Sequence, residues 1–458
     1  MGDSLEDVLR AADGPVELLR SRGRYPEDLL AIGGDIPAEF TNWREEQRAW
    51  ADSAVLMDQS QHMIDLTLDG PDALGVLADL GVNDFRDFEP GRAKQFVACN
   101  PRGDFLGDAV LFHLFDGRLN LVGTPPALDW VRYTVETEGY DVDLDLELNA
   151  LGRRGPPERF RYQVQGPDAL DVMRAAADGP LPDVGFFEFA PVTVGGCEVN
   201  ALRHGMLNEV GLELFGPWRH ADDVKEAILD AGREYALRQV GMKTYMTNNV
   251  NGWLPSPVPA IYGDDGGLEG FREWLPAGGW EAEFSVGGSF VSDDVRDYYL
   301  NPVEMGYGDL IDFDHDFVGR EALRETVENQ RRTKVTLLWD RADVAGLFDS
   351  LFEEPTTRFM HLPRPHWARS MYDRIEKGGE VVGVSKYPCY RDHVQEMMSL
   401  GIVDVELSEP GTEVTVVWGE EDSPKSVVED HVEVELTATV APVPYGGDRR
   451  KSADYSAT

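Results

Sequence analysis

The stretch HMIDLTLDGPDALGVLADLG, residues 62–81, changes its period in the middle. Ile64, Leu66 and Leu68 alternate, as on a strand with one buried face. Gly70-Pro71 then turns the chain, and the apolar residues of DALGVLADL fall at helical spacing. Pro71 suits a first helical turn, where its missing N–H costs nothing. The same order returns in FRYQVQGPDALDVMRAAA, residues 160–177, where the identical GPDAL string again separates a strand from a helix. A matched strand and helix around a matched turn predict a duplicated β–turn–α unit.

Further strands follow outward from these units. YDVDLDLELN (140–149) alternates Val142, Leu144, Leu146 and Leu148 with acids, which reads as one solvated face. Toward the end, KVTLLW (334–339), GEVVGVSKYP (379–388), TEVTVVWG (412–419) and HVEVELTATVAPVPY (431–445) predict a mostly β last third. Before residue 55, LEDVLRAA and EEQRAWADS have helical spacing, with a loop-like GRYPEDLLAIGGDIP between them. The 458 residues predict about three domains at roughly 150 residues each. The fold class expected is α+β.

Asp and Glu number 84 against 42 Lys and Arg, a formal charge of −42 spread along the whole chain. Such a surface repels nucleic-acid phosphates and anionic membranes, so neither is an expected partner. It also predicts a protein adapted to molar salt, where screening removes the self-repulsion. Cys99, Cys197 and Cys389 are scattered, which excludes a disulfide framework or a paired-cysteine metal site and suits a reducing compartment. The acidic start lacks the apolar core of a secretory signal, and no stretch of 18 apolar residues occurs, so a cytoplasmic location is expected. No dinucleotide-binding GxGxxG, Walker loop, HExxH or GxSxG elbow is found, and the nine histidines are not clustered; no metal is expected.

Several longer strings resemble the aminomethyltransferase (glycine-cleavage T-protein) superfamily. They are GGSFVSDDVRDYYLNPVEMGYGDLIDFDHDFVGREAL (287–323), VGLELFGP (210–217), PRGDFLGDAVLFHL (101–114) and the two GPDAL units. EFTNWREEQRAWADSAVLMDQSQHMIDL (39–66), FEPGRAKQFV (88–97), GWLPSPVPAIY (252–262) and REWLP (272–276) resemble its aromatic O-demethylase branch, the vanillate/3-O-methylgallate type. The similarity runs from about Pro15 to Tyr445. It implies three domains in a ring around a folate channel, two α+β and a C-terminal β-barrel or jelly roll. Residues 1–70 with 150–330 would form a discontinuous folate-binding unit. Residues 71–149 would be an inserted α+β domain, 331–445 the barrel, and 446–458 a flexible tail.

The resemblance also implies a function: transfer of a methyl group from a small, methoxy-aromatic donor to tetrahydrofolate. Such a displacement needs the reacting atoms held in line and a proton or hydrogen bond for a poor leaving oxygen. By resemblance, Tyr245 is that donor, with His62 in the substrate site and Tyr25 a second substrate tyrosine. Gln165, Glu213 and Trp253 match folate-contacting positions, and a glutamate can accept two hydrogen bonds from a pterin N–H edge. Asp108 matches an aspartate beside the reacting folate nitrogens. Without the resemblance, these residues read as a buried tyrosine, a satisfied histidine, core aromatics and solvated acids.

Two departures qualify the match. Where the vanillate-type branch holds its substrate's carboxylate with an arginine, this chain has Thr124, which points to a different donor; a small sulfonium or amine such as dimethylsulfoniopropionate is one alternative. Where the glycine-cleavage enzyme has an Arg-Asp-Ser…Leu-Glu-Ala-Gly stretch, this chain reads GMKTYMTNNVNGW. That argues against aminomethyl transfer, which would need a lipoyl carrier protein as partner. A non-catalytic folate-binding protein is the remaining alternative, but no cysteine here lies in the Lys-x-Cys-Tyr-x-Gly-Gln-type motif of such relatives. Length and the missing dinucleotide fingerprint speak against a fused flavin domain.

Overall fold

The computed structural model describes residues 4–23, 30–206, 209–255, 257–263 and 266–447, with the side chains of Asn249 and Asn251 left aside. Tyr25 and residues 448–458 of the expected tail lie outside that range. The two GPDAL units fold alike. Strand Ile64–Asp69 leads to helix Ala73–Leu80, and strand Arg159–Gln165 leads to helix Ala169–Ala176. Gly70 and Gly166 take φ of +153° and +124°. A Cβ on either would lie 2.3 Å from the Asp141 carbonyl oxygen or 2.5 Å from that of Ser53. Only glycine lets the chain pass so close at such a φ. The prolines sit two residues before the first helical residue: each helix begins after an aspartate, Asp72 or Asp168, so proline belongs to the turn rather than to the first helical turn.

The two units enter different sheets. Arg159–Gln165 is third in a six-stranded sheet whose order is Arg238–Gln239, Val55–Asp58, Arg159–Gln165, Gly211–Pro217, Cys197–Arg203, Phe189–Val194. Ile64–Asp69 is fourth in a five-stranded sheet, after Arg92–Cys99, Phe105–His113 and Leu119–Gly123 and before Asp143–Glu147. This pairing groups Ile64–Asp69 with strands that follow residue 70. Each sheet buries its outer face under helices. Leu56, Val164, Leu212 and Leu214 pack with Val172, Met173, Val224 and Ile228, while Leu66, Leu68, Leu111 and Leu121 pack with Val76, Leu77, Leu128 and Val131. The inner faces meet each other through Ala93, Phe112 and Val122 on one side and Phe189, Leu202 and Phe215 on the other.

The last third closes into a six-stranded barrel, in the order Arg332–Trp339, Glu396–Asp404, Glu380–Arg391, Asp373–Lys377, Glu413–Trp418, Val434–Ala441. Trp339, Trp367 and Trp418 fill it edge to face. The architecture is therefore α+β with a C-terminal barrel. Among the described residues no helix is long and apolar enough to cross a membrane.

Candidate active site

The sheet strand Arg159–Gln165 is buried on both faces, yet every second residue on its inner face is polar: Arg161, Gln163 and Gln165. Burying such groups costs free energy unless they find partners. Glu213 lies directly across from Gln163 on the neighbouring strand. Arg161 reaches both sheets. Its Nη1 donates to Glu213 Oε1 at 3.3 Å, and its Nη2 donates to Asp65 Oδ1 at 2.8 Å and Asn120 Oδ1 at 3.1 Å. Its guanidinium also lies over the rings of Phe112 and Phe215. Burial pushes the Glu213 carboxyl up, and Arg161 beside it holds it back. Gln163 and Gln165 are only half used. Gln163 Nε2 donates to the His204 carbonyl and Gln165 Oε1 accepts from the Met206 N–H, at 2.9 and 2.8 Å. Gln163 Oε1 and Gln165 Nε2 are buried without a partner.

His62 occupies the turn by which the chain leaves strand Val55–Asp58 of one sheet for Ile64–Asp69 of the other. Tyr245 ends the short helix Met242–Tyr245, which packs on helix Trp43–Asp52. Glu46, fully buried on that second helix, accepts from the Gly241 N–H at 3.0 Å, and Thr244 Oγ1 donates to the Trp43 carbonyl at 3.2 Å. Thus held, the Tyr245 hydroxyl lies 2.9 Å from His62 Nε2. Burial, and next the positive charge of Arg161, push the imidazole down from 6.5 to about 4. Burial, then Glu213 and Tyr387, push the Tyr245 phenol up. At neutral pH the pair is a neutral imidazole and a protonated phenol.

A second group forms around Asp108, in the middle of strand Phe105–His113. Its Oδ2 accepts from the Tyr307 hydroxyl, from Trp253 Nε1 at 3.1 Å and from Gln95 Nε2 at 2.9 Å. Trp253 Nε1 also donates to the Tyr307 hydroxyl oxygen at 2.8 Å, while its ring stays 43% exposed. Burial raises the Asp108 carboxyl against these hydrogen bonds, which lower it. The barrel contributes Lys334, whose Nζ donates to the carbonyls of Gly252 and Met305. Burial pushes that amine down to about 8 against the pull of Asp108. Asp108 and Phe112 share the inner face of one strand, so the two groups stand about 13 Å apart along it.

The structure thus joins His62 to Tyr245, Gln165 and Glu213 to one sheet face, and Trp253 to Asp108. Thr124 caps helix Pro125–Glu138 at the end of strand Leu119–Gly123, without a side-chain bond to the cap. Arg161, Gln163, Gln95, Tyr307 and Lys334 were not picked out by sequence. Only Arg161 and Gln163 carried a signal: uncharged or paired polar groups at every second position of an otherwise apolar strand. No group of three or more potential metal ligands occurs among the described residues.

Known proteins offer a comparison for this arrangement. Residues 24–256 match the family model described as the GCVT N-terminal domain. The chain is similar to a syringate O-demethylase of Sphingobium sp., with 38% identity over 98% of this chain and 97% of that protein. It is 28% identical to a sesamin methylene transferase of Sinomonas sp., over 91% and 92% of the two chains. An aminomethyltransferase of Streptomyces coelicolor is 25% identical, over 83% and 86%. Among solved structures, the glycine cleavage system aminomethyltransferase T of Bartonella henselae superposes with a TM-score of 0.60 at 17% identity, covering 90% of this chain and 92% of that one, which is a likeness of fold.

Proposed function

The chain belongs to the GCVT (aminomethyltransferase) family, and we propose that it is a tetrahydrofolate-dependent O-demethylase that moves a methyl group from a small methoxy-aromatic donor. The observation that carries the reading is the Tyr245–His62 pair, a protonated phenol held 2.9 Å from a neutral imidazole beside a polar sheet face with unused hydrogen-bonding atoms. Gln163 Oε1, Gln165 Nε2 and the Glu213 carboxylate together offer acceptors and a donor on one face. That set fits the mixed N–H and C=O edge of a pterin. Tetrahydrofolate supplies a nucleophilic nitrogen to take the methyl group.

The protein's own residues do the rest. Tyr245 donates its proton or a hydrogen bond to the ether oxygen as the methyl leaves. Its raised pKa keeps that proton on the phenol until the leaving oxygen becomes basic. His62 orients the hydroxyl. Asp108, held by Tyr307, Trp253 and Gln95, places a preorganised negative charge where alkylation of an amine builds positive charge. Thr124, with no guanidinium, favours a donor whose recognition does not depend on a carboxylate at that point. We place the enzyme in a cytoplasm of high salt, on the strength of the charge of −42.

The test is product identity. The protein in molar KCl is mixed with tetrahydrofolate and a panel: methoxy-aromatics with and without a carboxylate, sesamin, dimethylsulfoniopropionate, methylated glycines and an aminomethyl-lipoyl carrier protein. The expected product is 5-methyltetrahydrofolate from a methoxy-aromatic donor. Formation of methylenetetrahydrofolate from the lipoyl carrier alone would make the chain an aminomethyltransferase. Tight folate binding with no turnover across the panel would favour a binding protein.

A further inference from the structure

Two of the three donors that meet on Asp108 Oδ2 come from segments without a strand of their own. Trp253 follows the single turn Asn248–Asn251, and Tyr307 closes the turn that begins after Asn301. A loop position has no ladder of backbone bonds to fix where its side chain points. Yet the Trp253 indole and the Tyr307 hydroxyl converge on one carboxylate oxygen and on each other.

One side chain binds both segments. Lys334 is the third residue of barrel strand Arg332–Trp339 and pairs there with Ile402. Its Nζ donates to the carbonyl of Gly252, one residue before Trp253, and at 2.6 Å to that of Met305, two residues before Tyr307. Gly306, between Met305 and Tyr307, has φ +91°, and a Cβ on it would lie 2.5 Å from the Lys334 amine. Glycine leaves the space that the amine fills. Arg332, on the same face of the strand, is spent on Glu304 at 2.8 Å and on the Tyr299 carbonyl at 3.3 Å. Lys334 is used differently: among the described residues its hydrogen bonds go to carbonyls and none to a carboxylate. Asp108 is the carboxylate that draws on its charge. A compact ammonium with three donors can meet carbonyls from two directions, which a planar guanidinium fork does less readily.

We propose that Lys334 is a positioning residue for Asp108: from the barrel it ties together the two segments that carry Trp253 and Tyr307, so that both donors are aimed at the carboxylate in the free enzyme. This rests on the reading of Asp108 as the group that faces the positive charge built on the alkylated nitrogen. A carboxylate already held by fixed donors needs no reorganisation when that charge appears. Lys334 acts through Trp253 and Tyr307 and touches neither folate nor donor.

The experiment is a double-mutant cycle. Single-turnover methyl transfer from a methoxy-aromatic donor to saturating tetrahydrofolate is measured in molar KCl for the wild type, Lys334→Met, Asp108→Asn and the double variant. Thermal melting gives the folded fraction of each. Lys334→Met is expected to lower the rate per folded molecule about 10-fold, with the KM of the donor unchanged. In the Asp108→Asn background it is expected to cost nothing further. Equal losses in both backgrounds, no loss in either, or a change confined to KM overturns the proposal. Where Lys334→Met does not fold, Lys334→Gln keeps one donor and carries the same cycle. The indole N–H resonance of Trp253, assigned with Trp253→Phe, reads the clamp without folate. It should shift and exchange faster with water in the Lys334 variant, and an unmoved signal overturns the proposal whatever the activity. A wild type that transfers no methyl group from any ether refutes the demethylase reading, while the indole signal still decides the role of Lys334.

Discussion

At Tyr245 the chemistry turns on one oxygen. Phenylalanine there keeps the ring packing and removes the hydroxyl that reaches His62. Loss of a positioned proton donor lowers kcat about 10²- to 10⁴-fold. Tyr245→Phe should show that fall in 5-methyltetrahydrofolate formation with an unchanged melting temperature; retained activity would remove Tyr245 from the mechanism. His62 makes a second prediction. Its folded value of about 4 lies below the unfolded 6.5, so the folded state resists protonation. Stability from this group is full above 6.5 and is lost as pH falls through 4. An NMR titration of the His62 ring should give a midpoint near 4, and the acid limb of the pH–rate profile should not follow a group near 6.5. Both residues were legible in the sequence only by resemblance. Their contact joins positions 183 residues apart, and no local period records it. Tyr307 and Lys334 were illegible for the same reason, reaching Asp108 and Gly252 from distant segments.

Among the elements, the strand–turn–helix units show where local reading succeeds. A change from period two to helical spacing around Gly-Pro fixed both units before any contact was known, because each packs its own helix on its own strand. Sheet membership was another matter: two similar units join two different sheets, and which strands become their neighbours is decided by inner-face packing through Phe112 and Phe215. The barrel strands were legible by alternation, but their order of closure was not. The glycine at the turn offers a test. Gly166→Ala forces a Cβ to within 2.5 Å of the Ser53 carbonyl at φ +124° and should destabilise the fold by about 1–3 kcal/mol. Gly75 lies inside helix Ala73–Leu80 with open space around it, so Gly75→Ala should stabilise by about 0.5–1 kcal/mol. Chemical denaturation of the two variants should give opposite signs. The same sign in both would mean that the turn geometry is not what selects glycine.

Over the whole molecule, the formal charge of −42 sets the conditions under which every smaller-scale feature operates. Like charges at this density repel over about 10 Å at 0.1 M salt and about 3 Å at 1 M. The unfolded chain spreads the same charges apart, so dilute buffer favours unfolding. Raising KCl from 0.1 to 2 M should therefore raise the melting temperature, most steeply below 1 M, where the screening length shrinks fastest. The buried ion pairs respond differently. Arg161 with Glu213 and Asp65 lies between two sheets, where mobile ions do not reach, so screening should leave its geometry intact. It follows that kcat per folded molecule should change little with salt, while the folded fraction changes greatly. Parallel measurement of melting and of single-turnover methyl transfer against KCl separates the two. A melting temperature independent of KCl would refute the salt-adapted reading; a kcat that collapses at high salt while the protein stays folded would place the decisive charges at the surface instead of between the sheets.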